Sequence, residues 1–177
     1  SFTFKVNDGT FDSEPATVTI TVKAKATVVN IPDANLRKAL EAALGINAGE
    51  GITKEALAGL KELDAANRGI TNLGGLEHCT SLTSLYFEGN NISDVSPLAK
   101  LTNLTSLQIG KRQISDISVL SNLTNLTFLQ LRENPLNAAA YTTVIPALQA
   151  RGVTVVFDPP TNQAPVANAQ SVTTSED

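Results

Sequence analysis

A constant spacing of 22 residues separates Leu60, Leu82, Leu104 and Leu126, and the same spacing links Leu63, Leu85, Leu107 and Leu129. Two more columns keep the register: Ile70, Ile92, Ile114 and Leu136, and Leu57, Cys79, Leu101 and Leu123. A period of this length is the mark of a solenoid, because one short unit cannot bury its apolar side alone and must stack on its neighbours to build a continuous core. Within a unit, Leu85 and Phe87 alternate with Ser84, Tyr86 and Glu88, the period-two pattern of a strand with one buried face. Stacked strands of this kind make a parallel sheet. The return leg through Ile92, Val95 and Leu98 has three-residue spacing, which predicts tight turns or 3₁₀ segments and little regular helix on the convex side.

The stretches from Leu82 to Phe87, Leu104 to Ile109 and Leu126 to Leu131, with the phrases NISDVSPLAKLTNL and ISDISVLSNLTNL, resemble leucine-rich repeats of the bacterial internalin type. The resemblance covers roughly residues 28 to 158. It implies an α/β fold: a short right-handed leucine-rich-repeat solenoid with a parallel concave sheet, a helical N-terminal cap and a helix-strand C-terminal cap. It also implies that Asn90 and Asn134 satisfy loop backbone groups through their side chains. The equivalent positions hold Arg68 and Arg112, so this ladder is expected to be incomplete.

A solenoid exposes apolar ends and needs caps. Asp33 is placed to N-cap a helix after Pro32, with Leu36, Leu40, Ala43 and Leu44 on its buried face and Gly45 as its stop. Thr53 marks a second start, where Ile52 and Leu57 are spaced as a hydrophobic staple. Downstream, Ala138 to Ala150 reads as a helix carrying Val144, Ala147 and Leu148, with Pro146 an irregularity, before a strand from Val153 to Phe157 that closes the sheet. These signals divide a domain over residues 25–160 into a helical cap at 28–56, repeats at 57–137 and a C-terminal cap at 138–158.

The flanks read differently. Phe2, Phe4 and Val6 alternate, Asn7-Asp8-Gly9 supplies a turn, and Val18, Ile20 and Val22 alternate again. Residues 1–24 resemble the last strands of a bacterial cadherin-like, immunoglobulin-fold repeat, and residues 161–177 resemble a linker and the start of the next one. Two strands cannot bury a core, so both ends are expected to be weakly ordered. With no methionine and no basic, apolar leader before Ser1, the chain reads as a piece of a longer polypeptide, extracellular or displayed on a bacterial cell surface.

Charge and composition narrow the function. A net charge of −4 with 13 scattered Lys and Arg argues against nucleic acid, which demands a concentrated basic face. No apolar run approaches the ~20 residues needed to cross a bilayer. The one histidine, His78, rules against a triad. Its neighbour Cys79 stands in a leucine column, which predicts a packing thiol and not a nucleophile. Asp94 and Asp116 fall at equivalent turn positions suited to accepting backbone N–H bonds. The sequons at Asn91, Asn103, Asn122 and Asn125 largely arise from the repeat phrase itself. Calcium would draw on Asp8, Asp12, Glu14, Glu176 and Asp177, but these are split between two incomplete domains. Neither a catalytic residue nor a metal or cofactor is expected, and the chain is expected to be a monomer.

The remaining candidate is the open face of the sheet, which the 22-residue arithmetic orders into three rows. Glu62, Ser84, Ser106 and Phe128 form the first; Asp64, Tyr86, Gln108 and Gln130 the second; Ala66, Glu88, Gly110 and Arg132 the third. Asp64, Ser84, Tyr86, Glu88, Ser106, Gln108, Phe128, Gln130 and Arg132 are the candidate ligand-binding residues. Tyr86 and Phe128 are the large apolar groups among them, and aromatics and arginine are enriched at interface hot spots. Aromatics are also good strand formers, so structural use competes with binding. Lys111 and Arg112 depart from the usual loop phrase in repeat three, and a solvated charge pair is the expected reading. Five strands at ~4.8 Å give a face roughly 20 to 25 Å wide. The expected function is a non-catalytic, adhesion-type module that binds a protein or glycan. A structural spacer, or an accessory region of a secreted enzyme, is the alternative.

Overall fold

The computed structural model describes residues 2–20, 26–111 and 113–160. Five parallel strands form the concave sheet in chain order: β3 (Glu62–Asp64), β4 (Ser84–Tyr86), β5 (Ser106–Gln108), β6 (Phe128–Gln130) and β7 (Thr154–Val156). They follow a separate antiparallel hairpin, β1 (Phe2–Phe4) and β2 (Ala16–Val18), and the cap helices α1 (Ala34–Leu44) and α2 (Lys54–Gly59). The register of the large sheet is the repeat itself: Leu63 lies opposite Leu85, Leu85 opposite Leu107 and Leu107 opposite Leu129. All four leucines are fully buried. The convex side is built from 3₁₀ segments at Leu76–His78, Ser96–Lys100 and Ser118–Asn122, whose Leu76, Leu98 and Leu120 point inward.

Hydrogen-bonded columns hold the stack in line. Thr83, Thr105 and Thr127 each donate a hydroxyl to the carbonyl one repeat earlier, on Lys61, Thr83 and Thr105 respectively. On the opposite loop, Asn90 accepts from the N–H groups of Arg68 and Ile70 and donates to the carbonyls of Ala65 and Phe87. Asn134 repeats the arrangement with Ile114, Ile109 and Leu131. Each asparagine thus serves the loop of the preceding repeat, and both are buried. Asp94 and Asp116 cap the N–H groups of Ser96 and Ser118 at 2.8 Å, the turn role their positions predict. Bonding to Ser118 holds the Asp116 carboxyl below its ordinary pKa.

The N-terminal cap follows the capping signals. Asp33 accepts from Asn35 and Leu36, Gly45 ends α1 in the left-handed region, and Thr53 accepts from Ala56. Ile52 and Leu57 are both fully buried, as a staple requires. One assignment on α1 is corrected: Ala39 is buried with Leu36 and Leu40, whereas Ala43 is exposed and Leu44 half-buried. Ala43 shares the azimuth of Leu36, so its exposure means that the last turn overhangs the end of the core. Behind it, the buried carboxylate of Glu41 is paired with Arg37 at 2.9 Å and accepts from the N–H of Gly49.

The C-terminal cap departs from a single helix over Ala138 to Ala150. Ala140–Val144 forms a π turn, followed by α3 (Ile145–Ala150). Pro146 has no N–H to offer, and the preceding N–H, on Ile145, reaches back five residues to Ala140. The extra residue in that turn rotates the helix, so Ile145 is buried with Val144 and Leu148 while Ala147 is exposed. Arg151 ties this cap to the repeats by donating to the carbonyls of Ser121 and Leu123.

In the hairpin, Phe2 pairs with Val18 and Phe4 with Ala16. Gly9, at φ 97°, makes the turn, with Asn7 accepting from its N–H. Phe2, Phe4, Val6, Phe11, Val18 and Ile20 are exposed. The predicted alternation at Val22, and everything expected of residues 161–177, lies outside the described residues.

Candidate functional site

The concave face is shaped by what lies beneath and beside each strand. In β4, β5 and β6 the central leucine is buried and its neighbours are half-buried, because side chains on a strand point alternately to core and solvent. Ser84, Ser106 and Phe128 align across the first row, and Tyr86, Gln108 and Gln130 across the second. Asp64, Glu62 and Arg132 are exposed at the margins. Five strands span four ladder spacings, roughly 19 Å.

Tyr86 and Phe128 are half-buried and lie two strands and one row apart. Phe128 has Ser106 on one side and Thr154 on the other, so its ring stands above small neighbours. Tyr86 is flanked by Asp64 and Gln108. Two candidates already spend a polar atom on the backbone: Asp64 accepts from the N–H of Ala66 and Gln130 from that of Arg132, each at 3.1 Å.

The third row is interrupted. Gly110 is buried between Glu88 and Arg132, and a Cβ there would sit 3.1 Å from the Arg132 carbonyl oxygen. The result is a notch with a carboxylate on one side and a guanidinium-bearing strand on the other. Just beyond this row the chain turns sharply at four equivalent positions, Asn67, Gly89, Lys111 and Glu133, all with positive φ between 56° and 75°. A β-carbon at Gly89 would run into the tip of the Asn67 side chain, so a larger residue there would have to displace Asn67. Lys111 is exposed in this turn; Arg112 lies outside the described residues.

The other candidate chemistry is placed as follows. Cys79 is fully buried in its leucine column, and burial, aided by the Glu77 carboxylate, pushes its thiol up to about 12. A thiol so raised is not a nucleophile at neutral pH. His78 lies 3.9 Å from Glu77 on the same turn. Asp8 is committed to the hairpin turn, accepting from Thr10 and Phe11, and Asp12 accepts from Asn7. Among the described residues no group of acids, histidines or cysteines is arranged to hold a metal, and no helix is long and apolar enough to cross a membrane. The threonine column at 83, 105 and 127 escaped sequence reasoning, although its 22-residue spacing was available to reveal it.

Comparison with known proteins agrees with this geometry. The family model for leucine-rich repeats matches residues 59–100 and 80–122. An internalin (inlF) from Listeria monocytogenes is similar in structure, with a TM-score of 0.66 and 29% identity over 77% of this chain and 46% of its own. The functional domain of InlJ from the same organism, described as including a cysteine ladder, gives a TM-score of 0.62 and 30% identity over 75% of this chain and 29% of its own. The chain therefore spans less than half the length of either. No curated protein matches it. The chain contains a leucine-rich-repeat domain, a mixed α/β solenoid with a five-stranded parallel sheet, similar to the repeat domains of Listeria internalins.

Proposed function

We propose that this domain is a non-catalytic, adhesion-type binding module of a bacterial secreted or surface protein, and that it presents its concave face to a protein or glycan. The observation that carries the reading is the face itself: Tyr86 and Phe128 stand half-exposed on a rigid sheet whose other outward positions in β3 to β6 are small or polar. Aromatic groups held by a stiff scaffold lose little entropy on contact, which suits them to anchor a partner. The likeness to Listeria internalins supports this reading. Residues 1–24 are read as the C-terminal strands of a truncated cadherin-like domain, and residues 161–177 as a linker and the start of the next one.

The face is small. With a few half-buried positions per strand it offers less than the roughly 800 Å² per partner of a standard interface, so weak contacts strengthened by multivalency are expected. The mostly polar rows also fit a second reading, a spacer with no ligand. Probing arrays of host matrix proteins and glycans with the 177-residue chain separates the two: a binding module gives saturable signals, and a spacer gives none above background.

A further inference from the structure

The concave face is not uniform across its rows. Along the first row, Glu62, Ser84, Ser106 and Phe128 stand side by side on four successive strands. The two serines are half-buried, so they form a low shelf, with the Phe128 ring raised at one end and the exposed Glu62 carboxylate at the other. Three ladder spacings separate those ends, about 14 Å between α-carbons. Tyr86 and Gln108, opposite each other on the second row, border the shelf along its length. Asp64 stands beside Tyr86 at the acidic end.

Most of the polar groups here are uncommitted. Among the described residues of these two rows over β3 to β6, Asp64 and Gln130 are the side chains that bond to the protein itself, and Asp64 uses one oxygen only. The Ser84 and Ser106 hydroxyls, the Gln108 amide, the Glu62 carboxylate and the second Asp64 oxygen are left to meet a ligand. Ionised carboxylates only accept hydrogen bonds. The shelf therefore calls for a ligand rich in donors that also carries an apolar surface for Phe128, and its two carboxylates repel an anion.

We propose that the shelf binds a neutral glycan, with the C–H face of a pyranose against Phe128 and ring hydroxyls donating to Glu62 and Asp64. The inference rests on the concave-face reading above and names the class of its ligand. Chemistry favours this occupant: a pyranose presents C–H groups on one face and hydroxyls around its edge, so a single unit meets an aromatic ring and polar groups at once. Size favours it too. The face falls short of the ~800 Å² per partner that a standard protein interface buries, whereas a small ligand needs only an apolar contact and a few placed polar groups. Charge then selects among glycans, because Glu62 and Asp64 disfavour sugars that carry a carboxylate or sulfate.

The test probes beads coated with the 177-residue chain against printed neutral oligosaccharides of hexose and N-acetylhexosamine units, each beside its sialylated form, and against host matrix proteins. Coating supplies the multivalency that a weak site needs. The expected result is saturable binding to at least one neutral oligosaccharide, at least about tenfold stronger than to its sialylated form. Phe128→Ser, and Ser106→Val, which raises the shelf, should each weaken that binding at least about tenfold with the fold intact. Glu62→Gln combined with Asp64→Asn should bring the sialylated form to within about threefold of the neutral one, a change that a merely structural role would not produce. Equal binding of both forms by the unaltered chain overturns the inference, as does a preference that the double variant leaves unchanged or neutral binding that survives Phe128→Ser. Saturable binding to matrix proteins alone, abolished by Tyr86→Ser with Phe128→Ser, overturns it while leaving the concave-face reading in place. Binding to neither class overturns both.

Discussion

Asp33 and Thr71 join the helical cap to the first repeat: one carboxylate oxygen of Asp33 accepts both the N–H and the hydroxyl of Thr71, at 2.8 and 3.0 Å. The other oxygen caps α1 through Asn35 and Leu36. A single side chain thus starts the cap helix and ties it to a loop 38 residues away. Burial alone would raise its pKa, but the bonds from Thr71, Leu36 and Asn72 outweigh burial and hold it below the ordinary value.

Asp33→Ala should therefore cost about 1 to 2 kcal/mol, the upper range for an N-cap, because a tertiary tie is lost with the cap. The sign of the pH effect follows from the lowered pKa. The stabilisation is present above the unfolded carboxylate value, near 3.9, and is lost as pH falls through the lower folded value. Urea denaturation at pH 7 and at pH 3 checks this: the gap between wild type and Asp33→Ala should shrink at the acid end.

Asn90→Ala would strand the N–H groups of Arg68 and Ile70 and the carbonyls of Ala65 and Phe87, and all of these bonds but the one from Arg68 are buried. Unsatisfied buried groups cost about 1 to 3 kcal/mol each at most sites, so a loss of at least about 2 kcal/mol is expected in chemical denaturation. An exposed amide used as control, Asn91→Ala, should change stability by less than about 0.5 kcal/mol.

Leu107→Ala in the central strand should cost about 2 to 5 kcal/mol through lost transfer energy and a cavity. Cys79→Ala removes less and should cost less. In the folded protein Cys79 should resist thiol-specific labelling at pH 8, with its reactivity appearing only on denaturation.

Much of this architecture was legible because a 22-residue period states which residues must share a layer, and Leu63, Leu85, Leu107 and Leu129 are indeed paired in register. The caps were legible where a residue acts locally, as Asp33, Gly45 and Thr53 do. Reading failed where the outcome depended on tertiary placement. Ala43 lies on the apolar stripe but beyond the end of what α1 covers. Ala147 was assigned to the core because the π turn ahead of Pro146, which shifts the helical phase, leaves no sequence mark of its own. The concave rows followed from arithmetic, but the half-burial of Tyr86 and Phe128 and the notch at Gly110 depend on neighbouring strands and were not visible.

The binding role rests on Tyr86 and Phe128, and their joint replacement by Ser is the most direct test. Both side chains point away from the leucine core, so the melting temperature should fall far less than for Leu107→Ala. Binding of wild type and double variant is measured on the matrix proteins and glycans that retain the wild-type chain. The concave-face account predicts a loss of at least about 2 kcal/mol, roughly thirtyfold in affinity, with the fold intact. Equal binding by the folded double variant, or no saturable binding by the wild type, would contradict it and leave the spacer reading in its place.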